Sequence, residues 1–335
     1  MKTINLALQG GGAHGAYTWG VLDRLLAEPD LRIEAISGTS AGAMNAAALV
    51  AGYAAGGAEQ ARACLADFWR GVSELDRMSP IQRTPWDYLT GNYRIDNSPG
   101  FQLMHRLVGT LSPYQFNPLN FNPLRPLLES LIDFDALRAS DSIRLFISAT
   151  NVRSGKAKIF RNADLSPDAL LASACLPELF QAVEIEGEHF WDGGYMGNPA
   201  IYPLIYECSV CDVLLVQVIP LQRPELPTTP LDIMNRTNEI GFNSSIIAEM
   251  RAIAFVTRLI DENKLTDPRY KRMLLHMIEA EDQLAPLGAS SKMNADRYFL
   301  EALRDIGSAA ADRWLARHFD DIGTRATMDF AETFV

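Results

Sequence analysis

The stretch Ile36-Ser37-Gly38-Thr39-Ser40-Ala41-Gly42 constrains the chain more than any other. An apolar run over residues 31–36 ends in G-x-S-x-G, and an Ala-rich sequence suited to a helix begins at once. A strand passing so abruptly into a helix is a building unit of a layered α/β protein. Two readings of Ser40 compete. It is either a nucleophile held on a sharp turn, with a helix N-terminus facing developing negative charge, or merely the N-cap of the helix that follows. Gly38 and Gly42 suit both, since they leave room for the turn and for close packing of helix on strand.

A second strand-loop-helix unit precedes this one. Residues 4–9 read as a short apolar strand, Gly10-Gly11-Gly12-Ala13-His14-Gly15 as a loop, and residues 16–26 as a helix ending before Pro29. Backbone N–H groups converge unobstructed in such a loop and the helix dipole adds positive potential, so an anion site is expected. Gly10, Gly12 and Gly15 also satisfy G-x-G-x-x-G, the dinucleotide-binding fingerprint. That fold needs an acidic residue at the end of the second strand, where this chain has Ser37-Gly38-Thr39-Ser40; Asp30 stands before the strand, at its wrong end. Without a nucleotide, the loop is free to serve as an oxyanion hole for the serine one strand later.

Residues 43–75 read as one helix. Over residues 79–134 the character changes, with prolines at 80, 85, 99, 113, 118, 123 and 126 among Trp86, Tyr88, Tyr93, Phe101, Tyr114, Phe116 and Phe121. Such an excursion is either a packed cap or a lid and acyl-binding wall over an active site, with Trp and Tyr suited to a lipid interface. Residues 143–150 and 158–160 read as a hairpin about Ser154-Gly155, and 167–175 as a short helix. Residues 182–186 and a Glu186-Gly187 turn lead into His189-Phe190-Trp191-Asp192-Gly193-Gly194, where an apolar strand gives way to two glycines. Further strands are expected at 213–219 and 273–278, a long helix at 231–265, two C-terminal helices at 294–303 and 309–319, and a polar tail at 320–335. The fold class expected is therefore α/β. One domain spans 1–335, with three α/β/α layers, a mostly parallel central sheet, a capping insertion at 79–134 and a mainly helical region at 231–335.

A net charge of -11 argues against nucleic acid as a partner. The four cysteines make no disulfide framework at this length, and Cys208-x-x-Cys211 precedes a strand instead of opening a helix, so free thiols are expected over a redox pair. No export signal is read at the N-terminus, and the apolar window 41–55 is too short to span a bilayer. These features read as a cytoplasmic protein. No metal or cofactor cluster is visible, and the oligomeric state is not written in the sequence.

Taken in order, Gly10–Gly15, Gly38-Thr39-Ser40-Ala41-Gly42 and Asp192-Gly193-Gly194 resemble the patatin-like phospholipase family over roughly residues 4–220. The resemblance implies a lipid acyl hydrolase with a Ser40–Asp192 dyad and an oxyanion hole from Gly10, Gly11 and Gly12 with the Ala41 N–H. His14, Gly15, Gly38, Gly42, Gly193 and Gly194 complete the motifs. Many members carry Arg where this chain has His14. The implied partners are a lipid or acyl-ester substrate and transient, peripheral contact with a membrane or lipid surface; hydrolysis without cofactor or calcium is expected. A polyester such as poly-3-hydroxybutyrate or a neutral lipid is the alternative substrate. A triad using His276 or His318, and a non-catalytic lipid- or nucleotide-binding protein, are the alternative mechanism and class.

Overall fold

The computed structural model describes residues 1–223, 225–328 and 334. Eight strands form one sheet: β1 (Lys2–Leu8), β2 (Leu31–Gly38), β3 (Arg144–Asn151), β4 (Ala157–Arg161), β5 (Val183–Ile185), β6 (Glu188–Asp192), β7 (Asp212–Val216) and β8 (Leu274–Ile278). The order is β5-β6-β3-β2-β1-β7-β8, with β4 paired to β3. Pairing is parallel from β3 through β2, β1 and β7 to β8, and antiparallel around β4, β5 and β6. The strand, hairpin and turn expectations thus hold, and the sheet is mixed but mostly parallel.

Both faces of the sheet are covered, which is why its central strands are apolar on both sides. Along β1, Ile4, Leu6 and Leu8 face one core while Ala7 faces the other, the alternation of a pleated strand. The first core is closed by α1 (Gly15–Leu26) and α2 (Ala41–Asp76). The second is closed by α9 (Tyr202–Glu207) and α10 (Pro230–Asp261), through Leu204, Ile246 and Met250. Between these lie α3 (Pro85–Leu89), α4 (Pro99–Val108), α5 (Pro113–Phe116), α6 (Leu124–Leu131), α7 (Phe134–Ala139) and α8 (Pro167–Ser173). After β8 come α11 (Glu281–Leu284) and α12 (Arg297–His318), which lies along α1 on the first core.

Three expectations change. The single helix at 43–75 is interrupted at Gly56 and Gly57, whose backbone leaves the helical region, Gly57 with φ 72°. The two helices expected at 294–303 and 309–319 are one helix, α12. Gly307 is not a break: a Cβ there would lie 2.0 Å from the Tyr17 carbonyl, and one at Gly20 1.8 Å from the Arg304 carbonyl, so the two glycines let α1 and α12 touch backbone to backbone. The prolines at 85, 99 and 113 do not interrupt helices but start them, each following a Thr or Ser N-cap at position N1, where a missing N–H costs nothing. Of the polar tail at 320–335, residues 329–333 and 335 lie outside the described residues; Met328 and Phe334 are buried.

Candidate active site

The carboxyl ends of β1, β2 and β7 lie side by side, because Leu8 pairs with Gly38 and with Val216. A fourth end arrives from the opposite direction. Ile147 of β3 pairs with Gly38 on one side and Phe160 on the other, while Ala149 pairs with Asp192 and Lys158. Since β4 runs along one edge of β3 throughout, β2 and β6 share the other edge end to end. Their C-termini are two residues apart along β3, about 7 Å at the usual strand rise. This register is what brings Asp192 to Ser40 across a large separation in sequence.

Ser40 sits at the turn between β2 and α2 with φ 53° and ψ -121°, a conformation that disfavours any side chain and costs on the order of 1–3 kcal/mol. Ser40 holds the N-cap position of α2, but its side chain makes no capping bond to the helix. The turn is fixed from all sides. Thr39 Oγ1 donates to the Gly197 carbonyl (2.6 Å) and meets Ser148 Oγ at 2.6 Å; the Ser40 N–H donates to Ser173 Oγ (2.9 Å). Gly42 tucks α2 against β1 so closely that a Cβ would lie 2.2 Å from the Leu8 carbonyl. Asn45 donates to the carbonyls of Gly15 and Ala41 and accepts from Trp69 Nε1, tying the starts of α1 and α2 together.

Asp192 is 2% exposed, and burial pushes its carboxyl up to about 7. A 2.7 Å bond from the Gly194 N–H and the nearby Ser40 hydroxyl work against that rise by favouring the charged form, while Glu178 adds to it. Gly193 and Gly194 are packing requirements: a Cβ would lie 2.1 Å from the Ser148 carbonyl at the first and 2.2 Å from the Phe242 ring at the second.

Both residues open onto a cavity of about 330 Å³ whose walls are mainly apolar, among them Met44, Phe68, Val72, Leu124 and Leu176. Gly10, Gly11, Gly12 and Ala41 line it as well. The Gly10 N–H, expected as an oxyanion donor, is already given to Asn198 Oδ1 at 2.8 Å; the N–H groups of Gly11, Gly12 and Ala41 meet no acceptor among the described residues. Gly12 has φ 59° and is exposed. Asn198 is a cavity residue the sequence reading missed: buried, it also carries an amide NH₂ without a partner. Ser173 and Lys292 were missed too.

The remaining expectations separate cleanly. Residues 13–22 are buried throughout, and a Cβ at Gly15 would lie 2.6 Å from that of Ala41, so the third glycine of the dinucleotide fingerprint serves the contact between α1 and α2. His14 is buried with Nε2 2.7 Å from Ser291 Oγ; burial, with Lys292 and Arg223 nearby, holds it down to about 3, so it stays neutral. His276 is buried midway along β8, the last strand of the sheet, against Asp212 Oδ1 and Thr327 Oγ1, both at 3.0 Å, and Asp212 begins β7 at the end of the strand away from Ser40. His318 pairs with Asp321. Neither histidine lines the cavity. All four cysteines are free, with burial pushing each thiol up. Of residues 79–134 only Leu124 reaches the cavity; Trp86, expected in an acyl wall, is 66% exposed, and Phe116 is not a lining residue. Among the described residues, no helix is long and apolar enough to cross a membrane.

The family model described as "Patatin-like phospholipase" matches residues 6–205. No curated protein matches the chain. Among solved structures, VipD from Legionella pneumophila is similar at 15% identity over 96% of this chain and 77% of that one, with a TM-score of 0.38. The type III effector protein ExoU is similar at 17% identity over 90% and 54%, with a TM-score of 0.26.

Proposed function

Since the chain belongs to the patatin-like phospholipase family, we propose that it hydrolyses acyl esters of lipids by a Ser40–Asp192 dyad. The observation that carries this reading is a carboxyl group raised to about 7 by burial and set beside a serine on a strained turn, in a cavity that no histidine lines. An ordinary aspartate is too weak a base for a serine hydroxyl; one near neutrality is well matched to accept the proton and to return it.

The ester carbonyl carbon would meet Ser40 Oγ as the hydroxyl proton passes to Asp192, forming a tetrahedral intermediate. Its oxyanion would be received by the N–H groups of Gly11, Gly12 and Ala41, donors typically worth about 3 kcal/mol each. Asp192 then gives the proton to the departing alkoxide, leaving an acyl-serine. Water, deprotonated by the same carboxylate, attacks the acyl carbon and releases the fatty acid with Ser40 restored. The Gly10–Asn198 bond ties the start of this loop to the chain after β6 beside the cavity, which supports a fixed position for its donors.

The apolar walls favour an acyl chain over the polar backbone of a polyester. Contact with a lipid surface is proposed through the cap, where Leu89, Leu119 and Phe121 are exposed. A fluorophosphonate probe tests the nucleophile. Wild type is expected to be labelled and Ser40→Ala not, with native circular dichroism; undiminished labelling of the variant would sink the assignment.

A further inference from the structure

Ser40 and Asp192 come from the ends of two different strands, β2 and β6, but a third element touches both. At the close of α8 the Ser40 N–H donates to Ser173 Oγ (2.9 Å), and the Asp192 N–H donates to the Cys175 carbonyl (2.8 Å). Only Ala174, which lines the cavity, stands between the two contacts. Three consecutive residues therefore hold the backbone of both. For Asp192 this bond is one of several, since Thr150 Oγ1 also donates to its carbonyl (2.8 Å). For the Ser40 N–H, Ser173 is the one acceptor among the described residues.

The tripeptide is rigidly mounted. The N–H groups of Ala174 and Cys175 donate to the carbonyls of Leu171 and Ala172, both at 3.2 Å, so it leaves the helix without slack. Residues 169–173 are buried and α8 lies against β3, β5 and β6, while Cys175 Sγ donates to the Gln181 carbonyl (3.2 Å). The mount thus touches β3 and β6, the strands whose pairing brings Asp192 toward Ser40.

Nothing in α8 itself asks for serine at 173. Alanine, present at 169 and 172, serves a helix better, and a buried hydroxyl is unfavourable unless it is bonded. A buried helical serine commonly turns its hydroxyl onto a carbonyl of the preceding turn. Ser173 is wholly buried and makes no such bond among the described residues. Its oxygen serves instead the amide of Ser40, whose φ of 53° and ψ of -121° persist only where the surroundings over-determine them. The same bond takes the Ser40 N–H out of the donors open to an oxyanion, in keeping with a set drawn from Gly11, Gly12 and Ala41.

We propose that Ser173-Ala174-Cys175 sets the separation and facing of Ser40 and Asp192, with Ser173 as a positioning residue for ester hydrolysis. The inference rests on the dyad reading above, since the spacing matters only if the two side chains exchange a proton. Direct transfer needs the oxygens within about 3 Å of each other. Removing the Ser173 hydroxyl leaves the Ser40 N–H without an acceptor and frees the strained turn to relax, which moves Oγ out of line.

The test compares wild type, Ser173→Ala, Ser173→Thr and Leu170→Val on a soluble p-nitrophenyl ester, with rates taken per active site titrated by a fluorophosphonate. Ser173→Ala is expected to lower kcat by about ten- to hundredfold, the usual weight of a small misplacement, and to leave KM within about twofold, because it lines no part of the cavity. Ser173→Thr keeps the acceptor and should recover most of that loss. Leu170→Val loosens the same helix without touching Ser40 or Asp192, and its kcat should stay within about twofold of wild type. The acid limb of the rate profile gives a reading that general loosening does not move. The Ser40 hydroxyl favours the charged form of Asp192, so turning it away should raise the midpoint above its wild-type value near 7, while Glu178, Cys175 and Tyr195, the titratable groups that also bear on Asp192, are unaltered.

An unchanged kcat in Ser173→Ala would overturn the proposal. So would an equal loss in Leu170→Val, or a natively folded Ser173→Thr no more active than Ser173→Ala. If Ser173→Thr does not fold, the KM and the pH midpoint of Ser173→Ala decide: a raised KM with an unmoved midpoint assigns the loss to packing. The dyad reading fails separately. Labelling that survives Ser40→Ala rejects that reading whatever Ser173 does, whereas labelling that Ser40→Ala abolishes and Ser173→Ala leaves at the wild-type rate rejects the positioning role alone.

Discussion

Around Ser40 the chain is closed: Thr39, Ser148, Ser173 and Asn45 are buried or nearly so and hydrogen-bonded, and glycines stand wherever a Cβ would collide. Across residues 79–134 it is open. Trp86, Leu89, Leu119 and Phe121 are exposed at 66%, 78%, 90% and 66%, although Ile95, Phe101 and Leu128 anchor the segment below them. On the function proposed above, the difference separates two tasks. Chemistry needs atoms held within fractions of an ångström, which close packing and paired polar groups supply. Reaching a lipid surface needs apolar area that is not already covered.

The comparison breaks most severely at Asp192. If it is the direct base, Asp192→Asn should lower kcat on a soluble p-nitrophenyl ester by at least about the hundredfold typical of general-base loss, while His276→Ala and His318→Ala stay within a few-fold provided they fold. A natively folded histidine variant as inactive as Asp192→Asn would overturn the dyad. In wild type, activity should rise as pH passes through about 7, where Asp192 ionises. Stability runs the other way. A carboxyl raised in the fold above its ordinary 3.8 binds more protons folded than unfolded between those values, so its contribution falls as pH climbs from about 4 to 7. Asp192→Asn should therefore raise Tm at pH 8 by at least about 2 °C while it removes activity, the trade expected of a residue kept for function.

A smaller break lies in the packing beneath Ser40. Gly42→Ala places a methyl group 2.2 Å from the Leu8 carbonyl, so α2 must move off β1 and carry the Ser40 turn with it. A loss of about 1–3 kcal/mol in urea unfolding is expected, as for other overpacked sites, with kcat falling further than the fraction unfolded explains. Unchanged kcat in the folded fraction would show that the turn keeps its shape without that contact.

How much was legible follows the same division. The three glycine-bearing motifs could be read because their chemistry is local: a strand end, a turn and a helix start are written in consecutive residues. The residues that complete the site could not. Asn198 reaches Gly10, and Ser173 reaches Ser40, only because of the register around β3 and the close of β6, and nothing in their own sequence marks them. Lys292 stands against Gly12 only because the chain after β8 folds back over the glycine loop. Composition likewise revealed that residues 79–134 are aromatic but not which way the rings face, so a packed cap and an acyl-binding wall could not be told apart. Other signals were present and misread. Thr84-Pro85, Ser98-Pro99 and Ser112-Pro113 are helix starts in a stretch read only as proline-punctuated, and the two helices expected at 294–303 and 309–319 are one, with Gly307 inside it permitting contact.

The smallest effects should come from the open region, and they sharpen the comparison by depending on how substrate is presented. Leu124, the cap residue that lines the cavity, should behave as part of the site: Leu124→Ala is expected to change the ratio of long- to short-chain ester hydrolysis. Leu89 and Leu119 touch no part of the cavity, and Leu89→Ser with Leu119→Ser removes exposed apolar surface without opening a core. On a soluble ester the double variant should turn over within about twofold of wild type, because surface changes of this kind cost little stability. On phospholipid vesicles it should be several-fold slower, since each apolar side chain lost at a lipid interface weakens adsorption by about 1 kcal/mol or more. Cosedimentation with the same vesicles decides the cause. If both proteins adsorb equally and the vesicle rate does not fall, the exposed apolar groups of the cap have no part in finding lipid, and the surface that does must be sought elsewhere on the molecule.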